Sequence, residues 1–121
     1  KKAEALLLAQ NSKLNLQSDI LLAPHHGSKG ASSLAFINNI APKYVIFTTG
    51  KNNKFGFPHS EVLARYNCND KVLCLNTADT GTIMFRQTRH SWQVETWRGL
   101  NRHVWLDSMH GMHMRDTKIF K

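Results

Sequence analysis

Two short, continuous apolar runs most strongly limit the folds that this sequence can adopt. Residues 20–23 read Ile-Leu-Leu-Ala and are stopped by Pro24, and residues 44–48 read Tyr-Val-Ile-Phe-Thr. Runs of this length are typical of strands buried on both faces of a sheet. Between them, residues 32–40 place apolar side chains at helical spacing. A strand, a helix and a second strand in this order predict parallel or mixed strands with helices packed against the sheet.

The rest of the chain continues this alternation. The further predicted elements, in chain order, are a helix over residues 2–10, a helix from Ser32 or Ser33 to Ile40, an irregular loop over residues 50–58, a helix from His59 or Ser60, a strand over residues 71–74, a turn at residues 79–81 and strands over residues 82–86 and 91–97. The last two strands are expected to form an antiparallel hairpin through residues 87–90. The predicted fold class is therefore α/β: a mixed sheet with helices on one face and a closing hairpin.

Composition excludes several classes of protein. Apolar residues make up 41% of the 121 residues and charged residues 20%, which argues against general disorder and fibrous repeats. No apolar run approaches the ~20 residues that span a bilayer. Cys68 and Cys74 are too few for a disulfide framework, and we predict a half-buried thiol and a core thiol; a bond between them across the intervening turn is the alternative.

The chain carries a large positive charge. Sixteen Lys and Arg oppose eight Asp and Glu, which gives a formal net charge of +8 and favours polyanionic partners. Tryptophans and arginines interleave near the end of the chain, as on surfaces that bind single-stranded nucleic acid: Trp92, Trp97 and Trp105 with Arg89, Arg98 and Arg102. Because Trp92 and Trp97 face opposite sides of an ideal strand, we expect at least one of them in the core.

The segment with the clearest chemical potential follows the first apolar run. Pro24 is followed by His25, His26 and a glycine at the point where a buried strand ends, which is where sites assemble in α/β folds. Imidazole is the commonest metal ligand in proteins. The serines that follow lie near a helix start suited to phosphate: Ser28, Ser32 and Ser33. A metal or phosphate site is favoured here over an inert surface loop.

Four motifs together resemble a known family. They read P-H-H-G-S-K-G-A-S-S at residues 24–33, V-I-F-T-T-G at 45–50, N-N-K-F-G-F-P-H-S-E-V-L-A-R-Y at 52–66 and N-T-A-D-T-G-T-I-M-F at 76–85. In this order they resemble the metallo-β-lactamase-like domain of ComEC-type DNA internalisation competence proteins. The resemblance implies that residues 1–98 are the C-terminal half of that αββα fold. It leaves residues 99–121 as a loosely ordered C-terminal extension, in which the His110 and His113 pair is expected to be solvated.

The resemblance also implies roles for single residues. His25, and next His26, would be metal ligands. His59 and Glu61 would be catalytic, within a stretch where the family usually reads G-H-P-H-x-E and this chain has Phe57 in place of the first histidine. Phosphate contacts would come from a serine and lysine set, namely Ser28, Lys29, Ser32, Ser33, Lys51 and Lys54.

The main metal motif of this fold, H-x-H-x-D-H, is missing from these 121 residues. A hydrolytic zinc or manganese site needs three or more protein ligands, and this chain offers one or two. We therefore expect zinc or manganese in the intact domain and no stable metal in this piece alone. The chain begins without Met inside a predicted helix, which also indicates a piece of a longer protein.

By resemblance, the parent is an inner-membrane protein that takes up transforming DNA. The domain would lie on the extracytoplasmic side and cut the strand that is not transported. Expected partners are single-stranded DNA, the rest of the parent and, through an exposed sheet edge, a second copy. The alternatives are a non-catalytic DNA-binding or structural module and another metal-dependent phosphoester hydrolase of the same superfamily.

Overall fold

Three parallel strands lie at the centre of the structure, a computed structural model that describes residues 2–10, 14–68 and 71–98. Nine helices and strands occur in these ranges, and a tight turn, Pro24–Gly27, follows the first strand: α1 (Lys2–Ala9), β1 (Ile20–Leu22), α2 (Leu34–Ile40), β2 (Tyr44–Phe47), α3 (Ser60–Tyr66), β3 (Leu73–Asn76), α4 (Thr77–Thr80), β4 (Ile83–Gln87) and β5 (Trp92–Thr96). The predictions for the C-terminal extension, including Arg102, Trp105, His110 and His113, lie outside the described residues.

The parallel sheet has the order β1-β2-β3, with α2 and α3 as its two crossovers. β2 is buried along its whole length because it pairs on both sides. Its Val45 and Phe47 form one core with Ile37 of α2 and with Val62 and Tyr66 of α3, where the rings of Phe47 and Tyr66 meet edge to face at 5.9 Å. The predicted α/β class, with parallel strands and packed helices, is confirmed.

The predicted hairpin is also confirmed, and it forms its own two-stranded sheet. It packs on β2 from the side opposite Val45, since Phe85 contacts Tyr44 edge to face at 5.3 Å and side chains alternate along a strand. The indole of Trp92 is half-buried against Phe85 and donates a hydrogen bond of 3.1 Å to Asp19 Oδ2, whereas Trp97 is 55% exposed. Of the two tryptophans, Trp92 is therefore the one that packs against the rest of the fold, and Trp97 is mainly exposed.

Three local predictions are wrong. β1 is not buried on both faces, since Leu22 is 65% exposed and Ile20 and Leu21 are only partly buried. The third strand begins at Leu73 rather than at residue 71. Two residues of the predicted turn at 79–81, Asp79 and Thr80, belong instead to the short helix α4, and only Gly81 follows it. The start of α4 is capped by the Asn76 side chain, which accepts a hydrogen bond from the Ala78 N–H at 3.1 Å.

The two cysteines are not the free thiols that the sequence favoured. Cys68, just after α3, and Cys74 of β3 form a disulfide with their Cα atoms 5.3 Å apart. This separation is within the range that a disulfide requires. Both side chains pack against the core, so the bond fastens the end of α3 to the sheet.

The longest described helix, α1, has eight residues, and none of the described helices has the length and apolar character of a membrane span.

Candidate functional site

The predicted site residues converge on one edge of the parallel sheet. The loops after β1 and β2 and the helix after β3 all start at the carboxyl ends of these strands. The loop after β1 carries both predicted metal ligands, and the loop after β2 carries Lys51 and Lys54. Carboxyl edges of parallel sheets are where loops and helix starts meet, so this edge is the candidate site.

The two histidines occupy an unusual backbone conformation. His25 and His26 have φ values of 49° and 56°, in the left-handed region that non-glycine residues seldom adopt. Each ring is held through its Nδ1 atom, that of His25 by Ser28 Oγ at 2.8 Å and that of His26 by Thr48 Oγ1 at 2.8 Å. Consecutive left-handed residues held by side-chain bonds are typical of functional turns. Within the described residues, no hydrogen bond engages either Nε2 atom.

The histidine turn contacts the loop before α3 at Gly27. The Gly27 carbonyl accepts a hydrogen bond of 3.0 Å from the His59 backbone N–H, and the peptide bond between Phe57 and Pro58 is cis. Gly27 has φ of 87°, and a Cβ there would lie 2.6 Å from Pro58 Cβ. Only glycine fits this contact.

The phenyl ring of Phe57 lies beside two of the three predicted functional histidines. Its centroid is 5.9 Å from that of His25 and 5.5 Å from that of His59. The structure therefore brings His25, Phe57 and His59 together, while their metal-binding and catalytic roles stay predictions. Phe57 stands where the resembled family usually has histidine, and its ring offers neither a metal ligand nor a proton to this cluster.

These residues do not complete a metal site. Across residues 2–10, 14–68 and 71–98, no group of three or more His, Cys, Asp or Glu side chains is placed to hold one ion. His25 and His26 could donate two Nε2 atoms, but a zinc site needs at least three protein ligands. The donor set of the described residues therefore does not fit a catalytic metal, and no hydrolytic step follows from it.

Glu61, predicted as catalytic, is engaged in an exposed ion pair. The Lys29 ammonium donates a hydrogen bond of 2.7 Å to Glu61 Oε1, and this contact lowers the pKa of the Glu61 carboxyl. Glu61 also lies in the first turn of α3, where a carboxylate is favoured by the helix dipole. It is therefore ionised at neutral pH and cannot donate a proton there, while it neutralises part of the Lys29 charge.

Two of the serines predicted to bind phosphate already have an anionic partner. Glu4 of α1, only 6% exposed, accepts hydrogen bonds from the Ser32 N–H at 2.8 Å and the Ser33 N–H at 3.1 Å. Ser33 Oγ caps α2 by accepting from the Phe36 N–H. These donors are therefore not free for phosphate, which corrects the expectation for Ser32 and Ser33. Burial opposes ionisation of Glu4, but the bonds from these serines outweigh it and lower its pKa.

Arg65 and Tyr66, which the sequence analysis did not identify, hold this serine loop in place. The Arg65 guanidinium donates to the carbonyls of Lys29, Ala31 and Ser32 at 2.7–2.9 Å. The Tyr66 hydroxyl donates to Ser32 Oγ at 2.8 Å, and burial raises the pKa of Tyr66. Ser32 is buried with φ of 59°, so several partners fix a strained residue. No local pattern signals these contacts, because the partners lie 33–36 residues apart.

A network of hydroxyl and amide groups links the ends of β2 and β3. Thr49 Oγ1 donates to Asn76 Oδ1 at 2.6 Å, and Thr77 Oγ1 donates to the Thr49 carbonyl at 2.9 Å. These residues, with Thr48 under His26, were also missed. The Thr-Thr-Gly that ends the second apolar run was the available signal, since parallel strands end at a common edge.

The loop after β2 presents its lysines to solvent. Lys51 and Lys54 are both exposed, and the Lys54 ammonium lies 5.2 Å from the centre of the Phe55 ring. With Lys29 on the neighbouring loop, they place three cations near the carboxyl edge. The predicted lysines and the histidine turn therefore lie on loops that leave the same edge of the sheet. Phosphate binding by these lysines remains a prediction.

Comparison with known proteins gives three partial relatives. The chain is 39% identical over 72 residues to ComE operon protein 3 of Bacillus subtilis (strain 168), which covers 60% of this chain and 9% of that protein. It is 32% identical over 71 residues to Competence protein ComA of Neisseria gonorrhoeae, covering 59% of this chain and 10% of the relative. It is 34% identical over 65 residues to Recombination protein 2 of Haemophilus influenzae (strain ATCC 51907 / DSM 11121 / KW20 / Rd), covering 54% and 8%.

The chain therefore spans about a tenth of the length of these curated relatives. No family model and no solved structure matches it. The three relatives are homologues of part of this chain, which agrees with the resemblance to ComEC-type competence proteins. The comparisons do not identify a metallo-β-lactamase-like domain, so that assignment remains a prediction.

Proposed function

We propose that this chain is part of a membrane protein for DNA uptake in natural competence, and that its carboxyl edge contacts single-stranded DNA. The observation that carries the proposal is the convergence of Lys29, Lys51 and Lys54 with the histidine turn on one sheet edge. A net charge of +8 and the names of the partial relatives support it. Lysines on exposed loops bind phosphates with little regard for base sequence.

Catalysis belongs to the intact domain in this proposal. In the intact domain, His25 and His26 would supply two ligands to a zinc or manganese ion, and His59 and Glu61 would line the site. Such an ion would supply the Lewis-acid chemistry for hydrolysis of the strand that is not transported. The remaining ligands would come from the rest of the parent protein. Alone, this chain binds DNA without cutting it.

The disulfide supports a place for the domain on the extracytoplasmic side of the membrane. Disulfides persist in oxidising compartments and are rare in reducing cytosol. The bond between Cys68 and Cys74 is packed against the core, which is typical of a structural bridge. The outer edge of β1 would meet the rest of the parent or a second copy, because an unpaired edge offers backbone hydrogen bonds.

One observation favours a second candidate, a non-catalytic DNA-binding module. Phe57 contacts both His25 and His59 with a ring that cannot carry a proton or hold a metal. In that case the domain would bind the strand and guide it without hydrolysis. The two candidates share the DNA surface and differ in whether the rest of the protein adds metal ligands.

Binding of a labelled single-stranded oligonucleotide by the purified full chain tests the proposal. Fluorescence anisotropy should show binding at low salt. The logarithm of the binding constant should fall linearly with the logarithm of the salt concentration, and a chelator should leave the binding constant unchanged. The variant K51A/K54A should lower the slope by about 0.7 per lost phosphate contact. K43A, at the opposite edge of the sheet, is the matched control and should leave the slope unchanged.

Absence of binding at low salt would overturn the DNA role of this chain. Cleavage of the oligonucleotide by this chain after zinc or manganese loading would instead show that its ligand set is complete. The same assay on the full-length parent, with and without H25A, separates the catalytic from the non-catalytic candidate.

A further inference from the structure

An exposed aromatic ring lies within the basic loop at the candidate site. Phe55 is 61% exposed and stacks on Phe57, with ring centroids 5.5 Å apart and an interplanar angle of 22°. Phe57 in turn contacts the rings of His25 and His59. A continuous series of rings therefore runs from solvent to the histidine turn.

The loop that carries Phe55 is held in one conformation by Asn53. The Asn53 side chain accepts from the Phe57 N–H at 2.8 Å and donates to the Phe57 carbonyl at 2.9 Å. Backbone bonds from Asn53 to Gly50 and from Gly56 to Asn53 close the same loop. A ring fixed before its ligand arrives loses little conformational freedom on binding.

Positive charge accompanies the ring. The Lys54 ammonium lies 5.2 Å from the Phe55 centroid, and Lys51 is exposed on the same loop. The ammonium shows that the aromatic π-surface is accessible to a partner. An exposed cation–π contact is weaker than the stack of a nucleobase on an aromatic ring, so a base can take the place of the ammonium. Lys54 is then free for the adjoining phosphate.

We propose that Phe55 is a stacking platform for an unpaired nucleobase of a single-stranded nucleic acid, with Lys51 and Lys54 on the flanking phosphates. The inference rests on the proposed function and adds how the strand is recognised. Stacking requires a base whose face is open, so a single strand is bound in preference to a duplex. Because every base has a π-face, recognition is tolerant of sequence.

Two matched oligonucleotides test the inference with the full chain. One is oligo(dT) of about 20 nucleotides, which exceeds the footprint of such surfaces, and the other has the same phosphates but abasic sugars. F55A should bind oligo(dT) about 5- to 100-fold more weakly than the wild type, while its affinity for the abasic strand is unchanged. F55Y should restore binding. W97A removes an exposed aromatic from the hairpin and is the matched control.

Each outcome decides a separate question. If the wild type binds oligo(dT) and F55A binds it equally well, the stacking role is wrong while the proposed DNA contact stands. Equal loss of abasic and oligo(dT) binding in F55A, or tighter binding of duplex than of single strand, also overturns the stacking role. If the wild type binds neither oligonucleotide at low salt, the proposed function itself fails. A loss confined to W97A would move the platform to the hairpin.

Discussion

The backbone carbonyl of Gly27 accepts a hydrogen bond from the backbone N–H of His59 at 3.0 Å. This single bond joins the turn that carries His25 to the residue immediately before α3. It is possible because Gly27 lies against Pro58 and Phe47 with no side chain of its own. The relative position of His25 and His59 therefore depends on the close approach of the Gly27 backbone to the loop before α3, and not on either imidazole.

Replacing Gly27 tests that dependence. G27A should lower the free energy of unfolding by about 2–5 kcal/mol. The added Cβ would disfavour the left-handed backbone at this position and would also overpack the contact with Pro58. Denaturant unfolding of the wild type and the variant measures the change. G30A is the control, since no atom lies within 4 Å of the position where its Cβ would be. Equal stability of G27A and G30A would show that the close contact is not needed.

Glu4 should make stability depend on acid pH. Its folded pKa is below the ordinary value of 4.5, so its contribution is complete above that value and is lost as the pH falls through the folded pKa. E4Q should cost about 1.5–3 kcal/mol at neutral pH, because it removes bonds to a charged acceptor. The difference between wild type and E4Q, followed by denaturant midpoint from about pH 6 to about pH 3, should shrink as the pH falls.

A difference that stays constant across this pH range would mean that folding does not lower the pKa of Glu4, because equal pKa values in the folded and unfolded chain give no pH dependence. E61Q is the control for the substitution, and its midpoint should change little because both members of its ion pair are exposed.

The buried hydroxyl pair of Tyr66 and Ser32 should behave as one unit. Y66F leaves Ser32 Oγ without its donor and should cost about 1–3 kcal/mol. S32A should cost a similar amount, and the double variant should cost less than the sum of the two. A double-mutant cycle by chemical denaturation gives the coupling energy. Strict additivity would argue against the 2.8 Å contact.

The disulfide should stabilise the chain only modestly, because it closes a short loop. Its cysteines are six residues apart, and chain entropy for such a loop gives about 2 kcal/mol. A reducing agent should lower the denaturation midpoint of the wild type and leave that of C68A/C74A unchanged. Labelling of thiols in the untreated protein provides an independent check, since the bonded cysteines should not react until the protein is reduced.

Glu61 should weaken DNA binding rather than assist it. E61Q removes a negative charge and frees the Lys29 ammonium, so it should tighten oligonucleotide binding several-fold at low salt, an effect that added salt reduces. D19N is the matched control, because Asp19 makes the same kind of ion pair, with Lys43 at 2.8 Å, at the opposite edge of the sheet. Unchanged or weaker binding by E61Q would indicate that Lys29 does not contact the strand.

Local patterns in the sequence account for the order of elements. The apolar runs at residues 20–23 and 44–48 contain β1 and β2, because their length and composition suit a sheet. Ser32 or Ser33 was recognisable as a helix start, and Ser33 caps α2. By contrast, the exposure of Leu22 depends on what packs on its face of the sheet, and a run of apolar residues carries no information about that distant partner.

The candidate site was predictable only where its residues are close in sequence. His25 and Ser28 are three residues apart, and their contact follows from one turn. The bond from Ser32 to Glu4 spans 28 residues, and the contacts of Arg65 span more than 30. These pairs arise from the packing of α1, α2 and α3, which no spacing rule describes. The sequence also favoured free cysteines, since two cysteines do not reveal how close the chain brings their Cα atoms.

Glu4 acts as a resident anion at the start of α2 and has a consequence for any nucleic acid that arrives. A phosphate approaching the serine loop meets a carboxylate that already occupies the Ser32 and Ser33 amides. Glu4 therefore leaves these two amides with no free donor for a phosphate. In the proposed complex the strand would instead contact the lysine and phenylalanine loop beside the histidine turn, so a carboxylate on the first helix narrows where a polyanion can bind.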